Sequence, residues 1–348
     1  MVYKVITKNR LSDFFLHNIE NGQLDKAISC PRAIAFIKNP HVEEDEPCLI
    51  AIYDENDNLV GYIGLLGEYL QNPLIGKKVY WGSTQWLEPK YRGKGYSVEM
   101  MKKVWEVVDN QYFAIESSPS SYGLNKKMGS KVSFYSRYYL VLRTSASSVK
   151  GNVKNYLVQR NNTKALCNIS KIEYSNRYIK YIDDETYSFI VKHSENDLFL
   201  RKQDHLNWQI ANPFFIPIYC DKKNEKESVE FRGCVKRFET VCVQVLLRGE
   251  LVGFYVLNIR DAVCSVLYLY YEEKYAENVF ASIATFALSD SKIEKFRTFS
   301  KALYDKMLFF GIKSIFSKSH EDKVSLSVPV DFWVDPSLYI QGGDGDMV

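Results

Sequence analysis

The sequence predicts a two-domain α/β protein, and three observations support this fold class. The chain has 348 residues, whereas a single domain typically has roughly 150. Short apolar runs alternate with segments of helical period over the first 143 residues, which is typical of an α/β arrangement. A strand-like pattern at residues 58–66 (NLVGYIGLL) returns at residues 250–258 (ELVGFYVLN), so we expect a duplicated fold.

The elements of the first half follow from local pattern. Two apolar runs on either side of DENDN predict a hairpin, because Asp and Asn favour turns. A helix is predicted where apolar side chains recur at helical spacing with charged ones between them, and Gly129 is placed to end a second, shorter helix. The predicted elements are strands at 49–53, 59–66, 79–87, 112–115 and 132–142 and helices at 98–108 and 120–128.

A domain boundary is predicted at residues 144–155 (TSASSVKGNVKN), which are small, polar and without periodicity. We therefore expect one domain at residues 1–143 and a second at residues 156–348. Residues 221–230 carry seven charges and are predicted to be a solvated surface loop.

The composition excludes several classes of protein. Lys and Arg number 45 against 42 Asp and Glu, a net charge of +3, which is too even for a dedicated nucleic-acid binder. No uncharged run reaches the ~18 apolar residues of a membrane span, and the first residues lack the apolar segment of a signal peptide. Seven cysteines without a C-x-x-C pair and five histidines without an H-x-x-x-H pattern favour a reduced cytoplasmic protein without a metal site.

The segment that points to chemistry is residues 89–97 (PKYRGKGYS), between a predicted strand and a predicted helix. Free backbone N–H groups and the helix dipole attract an anion to a helix N-terminus. Gly93 and Gly95 would let the backbone approach a phosphate, and Arg92 and Lys94 add positive charge. The segment matches neither a P-loop nor a dinucleotide fingerprint. A glycine-rich turn with incidental lysines is the alternative.

Residues 92–97 (RGKGYS) resemble the Q/R-x-x-G-x-G/A acetyl-CoA signature of the GNAT N-acetyltransferases, with a serine in place of the small last residue. The resemblance covers about residues 1–143 and implies two GNAT-like domains, each a mixed, mostly antiparallel twisted sheet flanked by helices. It also implies acetyl-CoA as cosubstrate, with its pyrophosphate on the loop and its pantetheine arm along the preceding strand. The residues so implied are Trp86, Leu87, Arg92, Gly93, Lys94, Gly95, Tyr96 and Ser97.

Acyl transfer from a thioester to an amine requires a neutral amine, a donor for the oxyanion and a proton for the thiolate. We predict Glu116 and Glu68 as candidate general bases, because each follows a strand that borders the expected cleft. The alternative for both is a solvated carboxylate at the end of a strand.

The general acid is less clearly marked. Residues 124–129 (LNKKMG) resemble the family's L-Y-E-K-L-G stretch, but Asn125 stands where a tyrosine often serves as the acid. Asn125 could still donate a hydrogen bond, or the neighbouring Ser121 or Tyr122 could take over.

The second half keeps the fold pattern and loses the loop. Residues 274–279 (KYAENV) align with residues 90–95 (KYRGKG), so the arginine and both glycines are gone. We therefore expect a degenerate second domain that shapes the site for an amine-bearing acceptor. The predicted activity is transfer of acetyl from acetyl-CoA to a primary amine in a ternary complex. The alternatives are an aminoacyl or long-chain acyl transferase of tandem GNAT type and a non-catalytic CoA-sensing or scaffold protein.

Overall fold

The protein is described from a computed structural model, which covers residues 1–20, 28–72, 74–115, 119–144, 149–217, 234–315, 321–329, 331–332 and 338–345. Residues 221–230, which the sequence predicts to be a surface loop, lie outside the described residues. Among the described residues, no helix has both the length and the apolar character of a membrane span.

From residue 49 onward, the first half of the chain confirms the predicted order of strands and helices, and a strand and two helices that were not predicted precede it. Its turn between the second and third strands is held by Asp54, whose carboxylate accepts hydrogen bonds from the N–H groups of Asn56 (3.0 Å) and Asn58 (2.9 Å). Gly129 has φ +88° two residues after the last residue of the fourth helix, and a left-handed glycine in this region ends a helix. The elements are β1 (Val2–Thr7), α1 (Leu11–Glu20), α2 (Cys30–Ile37), β2 (Pro47–Tyr53), β3 (Leu59–Tyr69), β4 (Lys78–Leu87), α3 (Tyr96–Val107), β5 (Tyr112–Ile115), α4 (Pro119–Lys127) and β6 (Lys131–Val141).

The second half repeats this order, preceded by a long connecting helix. Residues 149–155, which the sequence assigns to the linker, form the first turns of that helix, which packs against the helix Ala276–Ser289. The residues of the connecting helix that belong to the core shared with that helix are Ala165, Leu166 and Ile169, near its other end, so residues 149–155 extend a helix that is anchored beyond the predicted linker. The elements are α5 (Val149–Ile169), β7 (Ser175–Ile179), α6 (Asp184–His193), α7 (Gln203–Ala211), β8 (Ile216–Pro217), β9 (Cys234–Val235), β10 (Phe238–Leu247), β11 (Glu250–Arg260), β12 (Val263–Tyr271), α8 (Ala276–Ser289), β13 (Lys295–Thr298), α9 (Lys301–Phe309) and β14 (Glu321–Val328).

The two halves share one twelve-stranded sheet with the order β1-β2-β3-β4-β5-β14-β6-β13-β12-β11-β10-β7. The pairs β4–β5 and β12–β13 are parallel and the other pairs of this sheet are antiparallel, which confirms the mixed, mostly antiparallel sheet. The last strand of each half is exchanged: β14 lies between β5 and β6, and β6 pairs with β13. The backbone groups of β5 and β6 that would otherwise form open edges are therefore satisfied by the end of the chain.

Helices cover both faces of the sheet. In the first half, α3 packs on one face through Met100, Met101 and Val104, which contact apolar residues of β2 to β5. The opposite face belongs to a core in which α2, α6 and α7 take part, and Trp208 of α7 donates from its indole nitrogen to the carbonyl of Ala35 of α2 (2.8 Å). The helices of the two halves therefore meet over the same face of the sheet.

Candidate active site

The predicted phosphate-binding loop links the end of β4 to the start of α3. A short 3-10 turn, Pro89–Tyr91, precedes it, and Gly95 is the N-cap residue of α3 with φ +88° and ψ −12°. Gly93 has φ +75°, and a Cβ atom at either glycine would meet nothing within 4 Å. The left-handed backbone, rather than crowding, is therefore what requires glycine at both positions.

The predicted phosphate-binding loop is exposed to solvent from Arg92 to Gly95. Tyr96 and Ser97 are the first two residues of α3, where N–H groups have no carbonyl partner inside the helix and where the helix dipole is positive. Two contacts fix the loop's base: Arg92 Nε donates to the carbonyl of Leu87 (2.8 Å), and the Tyr91 hydroxyl donates to the Asp54 carboxylate (3.1 Å). Arg92 thus braces the loop against the end of β4.

A cleft opens beside this loop because β4 and β5 diverge. The two strands pair only at Tyr80 with Tyr112 and at Trp81 with Phe113. Beyond that point β4 continues to Leu87, whereas β5 ends at Ile115, which pairs with β14. The result is a V-shaped gap whose open end faces the loop.

A bulge in β4 lies on the wall of this cleft. The register between β3 and β4 shifts between Tyr62 and Gly64, which face Trp86 and Ser83 respectively. Thr84 lies inside the shift with φ +50°, which is strained for a β-branched residue and costs about 1–3 kcal/mol. Its hydroxyl oxygen is buried without a hydrogen-bond partner in the part of the chain that the structure describes. Sequence analysis missed Thr84, because no residue pattern marks a threonine for this conformation.

The two predicted pantetheine-contacting residues lie at the mouth of the cleft. Trp86 is half-buried and its ring lies 6.2 Å from that of Tyr62. Leu87 is buried and contributes to the core beneath α3. The loop and the end of β4 are thus brought together as the sequence predicts, and their contact with CoA stays a prediction.

Glu68 lies deep in the molecule. Four residues of β3 separate Glu68 from Gly64, which places Glu68 about 13 Å further along the strand. Only 2% of its surface is exposed. Its carboxylate accepts a hydrogen bond from His41 Nδ1 (2.9 Å), and His205 Nε2 lies 3.5 Å away. Burial would raise the pKa of Glu68, but the imidazoles of His205 and His41 lower it, so the carboxylate stays ionised.

The histidines of this cluster are placed for mutual packing. The rings of His41 and His205 stack at 3.8 Å with planes 12° apart, and Trp208 stacks on His205. Burial lowers the pKa of His205 to about 3, so its imidazole is neutral at pH 7. The three donor groups lie within 4.8 Å of one another. A metal ion would have to lie in the plane of each imidazole it binds, and two nearly parallel, stacked planes do not meet at one ion. The described residues of the cluster are joined by one hydrogen bond, between His41 and Glu68, and by ring stacking; His205 Nε2 has no hydrogen-bond partner among the described residues.

Of the other two predicted catalytic residues, Asn125 is among the described residues and Glu116 is not. Asn125 is buried on α4, the helix that packs on β14. Glu116 lies outside the described residues. In the second half, Tyr304 takes the place of Asn125 in the aligned stretch, and its ring stacks on Tyr138 at 5.1 Å.

The second half has a matching cleft, and the chain's own C-terminal segment occupies it. β12 and β13 pair only as far as Ser265, after which they diverge. There Gly343 N–H donates to the carbonyl of Leu267 (3.0 Å), and Leu269 N–H donates to the Gln341 side chain (3.1 Å). A Cβ atom on Gly342 would lie 2.2 Å from the carbonyl oxygen of Val266, so the segment fits only as glycine.

The helix start of the second half has no glycine loop. The turn Glu273–Tyr275 leads directly into α8, whose N-cap residue is Tyr275. Val279, which aligns with Gly95 in sequence, therefore lies in the first turn of α8 and is fully buried. A Cβ atom on Gly253 would lie 2.3 Å from its side chain, so Val279 packs on β11 as a core residue.

From the second cleft the C-terminal segment continues to the first. Asp344 is buried and accepts a hydrogen bond from Arg201 Nη1 (2.6 Å), while Arg201 Nε donates to Asp197 (2.8 Å). Burial by itself would lower the pKa of Arg201, but the carboxylates of Asp344 and Asp197 and the Tyr270 hydroxyl raise it well above its usual value. The next residue, Gly345, rests on Trp81 and Ile115 at the narrow end of the first cleft.

A glycine loop at a helix start, beside a bulged strand and a V-shaped gap, is the arrangement that the resemblance to the GNAT family predicts. Residues 14–124 match the model of the acetyltransferase (GNAT) family. This segment, about a third of the chain, is therefore a GNAT domain, and the second half repeats its order of elements.

Solved structures with the same fold extend over nearly the whole chain. An N-myristoyltransferase from Saccharomyces cerevisiae with bound myristoyl-CoA is 9% identical, with 98% of this chain and 82% of that chain covered and a TM-score of 0.54. A GCN5-related N-acetyltransferase from Kribbella flavida is 11% identical, with 94% and 72% covered and a TM-score of 0.52. A probable N-acyltransferase from Enterococcus faecalis is 12% identical, with 94% and 73% covered and a TM-score of 0.50. These likenesses concern the fold. No curated protein sequence matches the chain.

Proposed function

We propose that the chain is an acyl-CoA-dependent N-acyltransferase that transfers acetyl from acetyl-CoA to a primary amine in a ternary complex. The observation that carries this proposal is the exposed loop with left-handed Gly93 and Gly95 at the start of α3, directly beside the cleft between β4 and β5. The pyrophosphate would lie on the loop amides, and the pantetheine arm would run along the end of β4 at Trp86 and Leu87.

In the proposed reaction the neutral amine attacks the thioester carbonyl carbon. The new C–N bond forms as the C–S bond breaks, the amine loses one proton and the CoA thiolate gains one. We keep Glu116 and Glu68 as candidate bases and Asn125 as a hydrogen-bond donor to the leaving group. Since Glu68 is buried against His41 and His205, an amine could transfer a proton to it directly only by displacing one of these rings.

Glu68→Gln separates a catalytic role for Glu68 from a structural one. As a base, Glu68 contributes roughly 10²–10⁴-fold to kcat, and the variant would lose that factor while keeping its acetyl-CoA affinity. If Glu68 only holds the histidine cluster, the folded variant keeps its turnover. Glu116→Gln gives the matched measurement at the other candidate.

The second half takes part through the acceptor site in this proposal. Its own cleft is filled by residues 341–343, and its helix α8 starts directly after the turn Glu273–Tyr275 without a glycine loop, which supports one CoA site per chain. The shared sheet and the helices α6 and α7 bring it against the first half, and ligand sites commonly lie at such junctions.

The test is release of free CoA thiol from acetyl-CoA in the presence of a panel of amines: an amino sugar, a polyamine, a small primary amine and a peptide N-terminus. We expect release that depends on one class of amine. CoA binding without amine-dependent release from any acyl donor would instead identify a CoA-sensing or scaffold protein.

A further inference from the structure

The narrow end of the first cleft is closed on every side that the structure describes. We propose that this closure limits the acyl donor to acetyl-CoA or a close short-chain homologue, and that Tyr112 and Gly345 set the limit. The inference rests on the proposed function, since it concerns the acyl group of the same CoA. Three directions are open to an acyl chain that grows past the thioester, and each meets packed atoms.

The first direction is straight on, between the two strands. There β4 and β5 pair at Tyr80 with Tyr112 and at Trp81 with Phe113. Paired strands lie about 4.8 Å apart with their backbone groups hydrogen-bonded across the gap, which leaves no room for a methylene chain. An acyl chain must therefore leave the cleft toward one face of the sheet.

The second direction is the face covered by α3, where Tyr112 blocks the way. Its phenol lies across Gly82, the residue just past the last pair: a Cβ atom on Gly82 would come within 2.2 Å of the Tyr112 hydroxyl oxygen. Tyr112 is 4% exposed and belongs to the core beneath α3. Burial raises the pKa of Tyr112, so the phenol is neutral at pH 7 and serves as an uncharged floor.

The third direction is the opposite face, where the C-terminal segment lies. A Cβ atom on Gly345 would lie 2.8 Å from Ile115 Cγ2 and 3.3 Å from the ring of Trp81. Trp81 is fully buried and packs on Phe199 at a centroid distance of 4.9 Å. The ion pair between Asp344 and Arg201 holds this segment in place from the residue before.

A chain of eight or more carbons would have to displace Tyr112 or the C-terminal segment, and both are held by close packing. Interiors packed to this density yield little to an inserted group. An acetyl group adds one carbon beyond the carbonyl and need not pass the floor. The site is therefore selective for length through shape alone.

Calorimetric titration with CoA, acetyl-CoA, butyryl-CoA and octanoyl-CoA tests the limit. We expect CoA and acetyl-CoA to bind within about threefold of each other and octanoyl-CoA to bind at least about tenfold more weakly than acetyl-CoA. Octanoyl-CoA that binds as well as acetyl-CoA would overturn the length limit and leave the proposed function standing. Absence of CoA binding itself would overturn both.

Variants identify the residues that set the limit. Tyr112→Leu shortens the floor and should bring octanoyl-CoA to within about threefold of acetyl-CoA, whereas Tyr112→Phe keeps the ring and should leave the preference unchanged. Tyr255→Leu is the matched control, because it removes an equally buried phenol from the second half. If Tyr112→Leu fails to fold, Ile115→Ala opens the other face. Folded variants of both kinds that still reject octanoyl-CoA would refute the assignment.

Discussion

Replacing Gly95 by glutamine and by glutamate separates the two contributions of the loop, its backbone shape and its electrostatics. Both side chains have the same length, and neither meets an obstacle, since a Cβ atom at this position has nothing within 4 Å. Both must adopt φ near +88°, which costs an L-residue about 1–2 kcal/mol. Only glutamate adds a negative charge at the proposed pyrophosphate site.

The expected difference can be worked out from Coulomb's law. A carboxylate about 5 Å from a phosphate charge is repelled by roughly 0.8 kcal/mol in water, and two phosphate charges double this to roughly 1.7 kcal/mol. CoA should therefore bind Gly95→Glu about 15-fold more weakly than Gly95→Gln at low salt. Because the site is exposed, 0.5 M salt should reduce that ratio to about threefold or less.

Calorimetric titration of CoA into both variants, at low and high salt, measures this ratio. Equal affinities of the two variants at low salt would refute the assignment of the loop as the pyrophosphate site. Gly123→Ala is the control for the backbone term, because Gly123 also has open space around it but lies within a helix without a positive φ. Chemical denaturation should show a gain of about 0.5–1 kcal/mol for Gly123→Ala and a loss of about 1–2 kcal/mol for Gly95→Gln.

Four further predictions concern the rest of the molecule. Folding lowers the pKa of His205 and raises the pKa of Asp344 to about 6, so the two groups oppose each other in the pH dependence of stability between pH 6.5 and pH 4. Folding also lowers the pKa of Glu68, so the unfolded chain takes up this proton first; the denaturation midpoint should drop below about pH 4.5, and Glu68→Gln should flatten that drop. Gly342→Ala would force a Cβ atom to 2.2 Å from a backbone carbonyl oxygen and should cost roughly 1–3 kcal/mol of unfolding free energy in urea. Calorimetry should find one CoA per chain, and a second CoA would contradict the closure of the second cleft by residues 341–343. Cleavage at a protease site inserted between residues 144 and 149 should leave two fragments that elute together from a sizing column, because β14 stays paired with β5 and β6; separate elution would contradict the exchange of strands.

The sequence predicted the elements of this protein that depend only on residues close together in the chain. The hairpin of β2 and β3, the helix α3 and the repeat all follow from periodicity and turn residues within short windows. Gly93 and Gly95 mark the loop for the same reason, since a left-handed backbone selects glycine whatever the surroundings. The loop and the order of elements around it resemble the GNAT family, and the match of residues 14–124 to that family's model confirms the resemblance for this segment.

Other features were decided by contacts between distant parts of the chain. The sequence around Glu68 does not identify its contacts, because His41 and His205 are 27 and 137 residues away. The packing of α7 on the sheet brings all three residues together. The boundary predicted at residues 144–155 follows from local composition, yet the sheet runs across it because β14 pairs with β5 and β6. Strand pairing depends on which backbone edge is open in the folded molecule, and side-chain pattern does not encode that choice. The position of the C-terminal segment also depends on tertiary structure. Its glycines permit a close approach to the backbone, but the cleft that it fills exists only because β12 and β13 diverge.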